Sequence, residues 1–288
     1  MKKFTVLALG LVLIAAAFVG CEMATDQEDD SGTTGTLSVK LTDDPFPIDL
    51  VSEATVKIDS LVVREKVEQQ EGNPFTTLST EPATFNLLEL QNGVTASLAE
   101  LEIPVGEYDL LRLYVDSASV TLNNGDFYEV FVPSGAETGI KVFIDPAIPV
   151  EGDLTSELLL DLDVSKSFIL RDNMDSPAGV TGFNFKPVIR ATNLSTSGRI
   201  AGTVLDSTGN AVADAQVWAA QDTVVTNTFS DTDGTYALIG LPEGTYTASA
   251  IIHGDTVSVS GVDVVAANET EVDIQWPGGM EKIVSGSE

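Results

Sequence analysis

Leu110-Leu-Arg-Leu-Tyr-Val-Asp-Ser-Ala-Ser-Val-Thr-Leu122, then Asn123-Asn124-Gly125, then Phe127-Tyr-Glu-Val-Phe-Val132 is the stretch that decides the fold class. Leu111, Leu113 and Val115 would share one face of an extended segment, and Leu110, Arg112 and Tyr114 the other. This strand is therefore predicted to be covered on both sides over part of its length. Asn-Asn-Gly supplies residues that tolerate positive φ, which a tight hairpin needs. Working outward, Leu37, Val39 and Leu41 alternate with Ser38 and Lys40, and Val56 and Ile58 alternate with Lys57 and Asp59. Period two, bounded by Gly, Pro, Asn and Asp, is how half-buried strands read. Helical periodicity is scarce, and one short helix is predicted around Val94 to Leu101. The chain is expected to be all-β.

The same pattern resumes after Asn193-Leu-Ser-Thr-Ser-Gly198, a small-residue stretch without apolar periodicity. Strands are predicted near Ile200–Leu205, Ala215–Ala219, Tyr236–Ile239, Tyr246–Ile252, Val257–Val264 and Thr270–Trp276. Short strands with turn signals at this spacing argue for a small β-sandwich. Charge changes at the same place: residues 36–193 hold 10 basic and 26 acidic residues, 10 − 26 = −16, and residues 199–276 hold 1 and 11, 1 − 11 = −10. The expected organisation is two β-sandwich modules in tandem, at 36–193 and 199–276, with a linker at 194–198 and a tail at 277–288. Each module carries one apolar-Pro-x-Gly-x-Tyr piece, Ile103-Pro-Val-Gly-Glu-Tyr108 and Leu241-Pro-Glu-Gly-Thr-Tyr246. Proline fixes φ, glycine permits a sharp return and tyrosine can lock the start of the next strand, so both read as sandwich corners.

Composition excludes several classes of function. The chain of 288 residues has 14 Lys+Arg against 44 Asp+Glu, a net charge of −30, yet 43% apolar residues, enough to fill ordinary cores. A surface this negative is repelled by phosphate backbones and anionic headgroups, so nucleic acid is not expected as a partner. One histidine cannot build a His-rich zinc site, and one cysteine cannot form an internal disulfide.

Residues 1–20 read as a signal peptide: Met-Lys-Lys, an apolar run from Phe4 to Val19, then Gly20 before Cys21. Phe18-Val-Gly-Cys21 resembles the lipobox of bacterial lipoproteins, with Phe18 where Leu is usual. The resemblance implies cleavage after Gly20 and acylation of Cys21, which would become the new N-terminus. The other reading of Cys21 is a buried structural cysteine in a membrane anchor. Loss of Lys2 and Lys3 would leave 12 − 44 = −32. Residues 21–35 read as an acidic, Gly/Ser/Thr-rich tether. Their acidic run also resembles surface-export signals of some outer-membrane lipoproteins.

The second module resembles the carboxypeptidase regulatory-like family, a transthyretin-like sandwich, through Gly202-Thr-Val-Leu-Asp206 with Gly209, Ala215-Gln-Val217, Thr232-Asp-Gly-Thr-Tyr-Ala-Leu238 and Leu241-Pro-Glu-Gly-Thr-Tyr246. In carboxypeptidases the chemistry belongs to a separate zinc domain. With His253 as the only histidine, the pair of ligands such a domain needs is absent. Residues 36–190 resemble the domain-of-unknown-function 4382 family through Leu41-Thr-Asp-Asp-Pro45, Gly106-Glu-Tyr108, Leu111-Arg-Leu113, Pro133-Ser-Gly135, Thr138-Gly-Ile-Lys-Val142, Leu160-Asp-Leu-Asp163 with Ser167, and Phe185-Lys-Pro-Val-Ile189. That resemblance implies an extracytoplasmic β-rich domain and no activity.

No nucleophile elbow, His-Glu-x-x-His, Walker loop or Gly-x-Gly-x-x-Gly occurs. His253 reads as a strand end. Asp161 with Asp163, Asp43 with Asp44, and Asp231 with Asp233 raise the question of Ca²⁺. In Asp231-Thr-Asp-Gly234, however, Tyr236 and Pro242 stand where a calcium loop needs Gly and Glu, which favours a turn. Trp218 and Trp276 could stack on sugars or pack against sheets. The expected function is that of a non-enzymatic, lipid-anchored cell-envelope protein, placed in the outer membrane and working in surface adhesion or ligand capture. The alternative is a carbohydrate-binding accessory lipoprotein, and behind it an acid-pair glycan hydrolase. The expected partners are the membrane, through lipidated Cys21, and an extracellular glycan or protein ligand. No catalytic residue, metal or cofactor is assigned.

Overall fold

The computed structural model describes residues 32–44, 50–67, 74–132, 137–172 and 180–278. The first module runs through β1 Thr34–Asp44, β2 Val51–Glu65, β3 Phe75–Ser79, β4 Ala83–Asn86, β5 Ala96–Pro104, β6 Gly106–Leu122, β7 Phe127–Val130, β8 Ile140–Val150, β9 Thr155–Asp163, the single turn α1 Val164–Ser167, β10 Phe168–Asp172, β11 Val180–Phe185 and β12 Ile189–Asn193. One sheet has the order β12-β9-β1-β5. In the other, β2 and β6 are central, with β3 and β4 in line along β2 and with β7 and β8 in line along β6. Their inner faces close over Leu37, Val39, Leu41, Leu111, Leu113 and Val115. As the sequence predicts, β6 is covered on both faces near its start, since Leu110 and Leu111 are both buried. Its hairpin to β7 turns at Asn123–Gly125, with Gly125 N–H donating to Leu122 O at 2.9 Å.

The helix expected at Val94–Leu101 is instead strand β5, paired antiparallel with β1 from Thr34↔Pro104 to Leu41↔Ala96. Its buried residues, Ala99 and Ile103, stand four apart. That spacing puts them on one face of a helix and equally on one face of a strand, so the open flank of β1 decides. The expected tether also ends earlier than residue 35, because Thr34 and Gly35 already belong to β1. A Cβ on Gly35 would lie 2.1 Å from Glu151 O, so this end of β1 passes too close to its neighbour for a side chain.

The second module contains β13 Ser197–Leu205, β14 Gln216–Ala220, β15 Val224–Phe229, β16 Thr235–Pro242, β17 Gly244–Ile252, β18 Asp255–Val264, β19 Glu269–Glu271 and β20 Ile274–Gln275. The sheet β16-β13-β19, with β20 also on β13, faces the sheet β15-β14-β17-β18 across Ile200, Val204, Val217, Tyr236, Leu238 and Ile252. The expected linker is short: Leu194–Thr196 form a 3-10 turn, and Ser197 and Gly198 already lie buried at the start of β13.

Both Pro-x-Gly-x-Tyr pieces are corners, and both lead from a flanking strand of one sheet into an inner strand of the other, β5 to β6 and β16 to β17. The Tyr108 hydroxyl donates to Pro104 O and the Tyr246 hydroxyl to Pro242 O, each at 2.8 Å. Burial is the first cause raising both phenols: Tyr108 is pushed up to about 12, with the nearby Glu65 charge adding to it, and Tyr246 is raised against an opposing pull from Arg190.

Candidate functional site

Cys21 and Gly20, with the expected signal peptide and the tether up to Ser31, lie outside the described residues. Among the carboxylates singled out above, Asp43, Asp161, Asp163 and Asp231 have structural partners. β1 and β9 run parallel, which sets Thr42 beside Asp161 and Asp43 beside Leu162. Asp43 accepts from Val164 N–H at 3.2 Å. Asp163 caps α1, accepting from Lys166 N–H at 2.9 Å and from Ser165 Oγ at 2.6 Å, and Lys166 Nζ stands 2.6 Å from its other oxygen. Asp161 accepts from Arg190 Nη2 at 2.8 Å. Burial raises its carboxyl above the usual range, while the charge and hydrogen bond of Arg190 oppose that rise. Among the described residues, no three His, Cys, Asp or Glu side chains are grouped so as to hold a metal ion.

Arg190 also reaches the second module. Its Nη1 donates to Gly240 O at 2.7 Å, in the strand before the Tyr246 corner. Gly240 has φ of 67°, a conformation that favours glycine, and a Cβ there would stand 2.9 Å from Leu159 Cδ2 where β16 approaches β9. The turn Gln91–Val94 makes the second link. Asn92 and Gly93 have φ of 56° and 77°, and Val94 N–H closes the turn on Gln91 O at 3.1 Å. Asn92 donates its N–H to Thr228 Oγ1 at 3.0 Å and its Nδ2 to Thr235 O at 3.1 Å, and its Oδ1 accepts from Ala237 N–H at 2.7 Å. Sequence reasoning did not single out Asn92 or Arg190. The Asn-Gly pair was a visible turn signal, but its partners lie more than a hundred residues away.

Between these two links lies an open cleft of about 330 Å³, lined by Lys40, Thr95, Arg199, Gly240, Asn268 and Glu269 among others. Both of its cations are paired, Lys40 with Glu157 and Arg199 with Glu269. This cleft therefore offers no free positive charge.

In the second module the expected turn at Asp231 is present. Its carboxylate accepts from Asp233 N–H, Thr235 N–H and Thr235 Oγ1 at 2.9, 2.8 and 2.6 Å. These bonds hold it below the usual carboxylate range, with the Thr235 hydroxyl the first cause. Asp206 is held lower still by the backbone and side chain of Asn210 and by Thr208. His253 follows β17 directly, with φ of 53°, its ring edge-on to Trp276 at 5.0 Å. Trp276 packs against the module's core. Trp218 differs. Its neighbours Val217 and Ala219 are fully buried, so alternation turns the indole outward, onto the far side of the sheet β15-β14-β17-β18.

Residues 34–187 match the family model of a domain of unknown function, DUF4382, and residues 199–277 match that of the carboxypeptidase regulatory-like domain. No curated protein matches the chain. Among solved structures, the chain is similar to PA1324 of Pseudomonas aeruginosa, a candidate carbohydrate-binding protein, at 16% identity over 30% of this chain and 92% of that one, with a TM-score of 0.21. It is similar to the TIE protein of Bacillus anthracis at 15% identity over 84% of this chain and 34% of that one, with a TM-score of 0.22. It thus spans about a third of that protein. It is similar to the shaft pilin SpaA of Lactobacillus rhamnosus GG at 11% identity over 86% of this chain and 99% of that one, with a TM-score of 0.23.

Proposed function

For a chain that belongs to the DUF4382 family over more than half its length and continues into a carboxypeptidase regulatory-like domain, we propose a role in binding without turnover, as a cell-envelope protein held to a membrane through lipidated Cys21. The observation that carries this reading is how the ionisable side chains are used. Turnover requires an acid, a base or a nucleophile converging on one reacting atom. Here the buried carboxylates Asp161 and Asp163 are committed to Arg190 and to the α1 cap. Asp206 and Asp231 shape turns, and His253 rests on Trp276. Anchoring is supported by the Gly20-Cys21 junction behind an apolar run.

Two measurements examine the reading. The purified chain, incubated with polysaccharides, peptides and esters, should release no product with or without Ca²⁺ and Zn²⁺. Reproducible cleavage, lost on changing one carboxylate to its amide, would replace binding with acid-pair hydrolysis. A fatty-acid probe fed to cells should label the wild type but not Cys21→Ser, and label persisting in that variant would remove the anchor.

A further inference from the structure

The outer face of the sheet β15-β14-β17-β18 is turned away from the opposite sheet, on whose β16 Gly93 of the first module approaches Ala237 and Ile239, while the first module meets this sheet at β15, where Asn92 N–H donates to the buried Thr228. Register sets Trp218 in a row with Asn227 of β15, Ser249 of β17 and Ser258 of β18. The row on one side contains the Phe229–Gln216 and Ile251–Thr256 pairs, and the row on the other runs through Ala220 to Ser260. No position in these three rows carries an ionisable side chain, although 20% of the chain is charged. The neutral face ends at Asp263, which accepts from Thr245 Oγ1 at 2.7 Å.

A face without charge in a chain of net −30 attracts neither a basic nor an acidic partner. Its chemistry is one flat indole, with Phe229 and Ile251 in the next row, beside amide and hydroxyl groups. Ser249 Oγ and Ser258 Oγ share one hydrogen bond at 2.8 Å, leaving the pair further acceptor capacity and one donor. An apolar ring face for C–H groups, flanked by neutral donors and acceptors for hydroxyls, is complementary to a pyranose. A protein interface of ordinary size would want a larger apolar centre. On this sheet the large apolar side chains that are exposed are Ile251 at 38% and Val224 at 55%.

We propose that this face binds a neutral polysaccharide, one sugar ring stacked on Trp218 and its hydroxyls bonded by the exposed Ser258. The proposal rests on the reading of the chain as a binding protein and names the ligand class. The experiment is affinity electrophoresis of the full chain through gels containing a neutral glucan, mannan or galactan, with polygalacturonate as the anionic control. At least one neutral polymer should retard the wild type, and changing NaCl should leave that retardation intact. Trp218→Ala should weaken it about tenfold or more, a loss typical of a central anchor. Trp276→Phe should keep it. Ser258→Glu, at an exposed position, should also abolish it and guards against an unfolded Trp218→Ala.

Retardation by none of the neutral polymers, or retardation surviving both Trp218→Ala and Ser258→Glu, would overturn the proposal. So would a dimer in sedimentation that Trp218→Ala dissociates, since the face would then belong to a second copy. Cleavage of a retained polymer would sink the binding-only reading while leaving the ligand class standing. Neither retention nor cleavage would do the reverse.

Discussion

The corners at Tyr108 and Tyr246 solve one problem twice. Each takes the chain from a flanking strand across the sandwich into the middle of the opposite sheet, and each locks the crossing with a tyrosine hydroxyl on the proline carbonyl four residues back. Their glycines differ. Gly244 has φ of 155°, a conformation open to glycine and costly for other residues, whereas Gly106 is not held at positive φ and a Cβ there would meet only the carboxyl end of Glu65. Their settings differ too, since the strand before Tyr246 is bonded to Arg190 of the other module and the Tyr108 corner lies wholly within its own. Shared chemistry with unshared backbone and surroundings indicates a device forced by geometry, and gives no support to duplication of one module from the other.

The largest expected effect separates the two surroundings. Arg190→Met would strand the buried Asp161 carboxylate and should cost about 3–5 kcal/mol in urea unfolding, with the second module's corner the more exposed to exchange. The penalty should depend on pH. Asp161 has a folded pKa raised above its unfolded value, so its contribution is greatest at acid pH and falls as the pH rises through that window. Without Arg190 the window widens upward. Wild-type and variant stability curves running parallel from pH 4 to 7 would contradict this.

Next comes the backbone. Gly244→Ala should cost about 1–3 kcal/mol from strain, and Gly106→Ala less than about 1 kcal/mol. Equal losses in urea titrations would erase the distinction between the corners.

The hydroxyls should matter less and alike. Tyr108→Phe and Tyr246→Phe should each lose about 0.5–1.5 kcal/mol, the net value of one hydrogen bond, and the double variant should lose their sum. A loss confined to one corner would show that the other bond is incidental.

The smallest effect lies at alkaline pH. Tyr108 titrates at about 12 when folded and at about 10 when unfolded. Its contribution is therefore complete below the unfolded value and lost as the pH rises through the folded one. Glu65→Gln should lower the Tyr108 value in absorbance titration and leave Tyr246 unmoved.

Much of this was legible in the residues. Alternation at Leu111–Val115 and the Asn123–Gly125 turn located β6 and β7, and the two Pro-x-Gly-x-Tyr pieces marked the corners. β15 was not predicted, because its inward residues are Thr226 and Thr228 and hydropathy does not alternate there. The helix expected around Val94 to Leu101 is β5, whose buried Ala99 and Ile103, four apart, fit either period. The links between modules escaped for another reason. Asn92 and Arg190 act through partners that only the meeting of two folded surfaces brings within reach. Trp218 could be placed on an outer face by alternation, but which other residues share that face depends on strand order.

Asn92 offers the flank of β16 one carbonyl and one N–H, bonded to Ala237 N–H and Thr235 O as a neighbouring strand would bond them. β16 ends its sheet, and an uncovered strand of this kind is a template on which another chain can add itself. The side-chain amide occupies that docking register with two atoms and no strand of its own. The contact that joins the modules thus also keeps neighbouring molecules from zipping together through β16, a safeguard against aggregation wherever copies stand close.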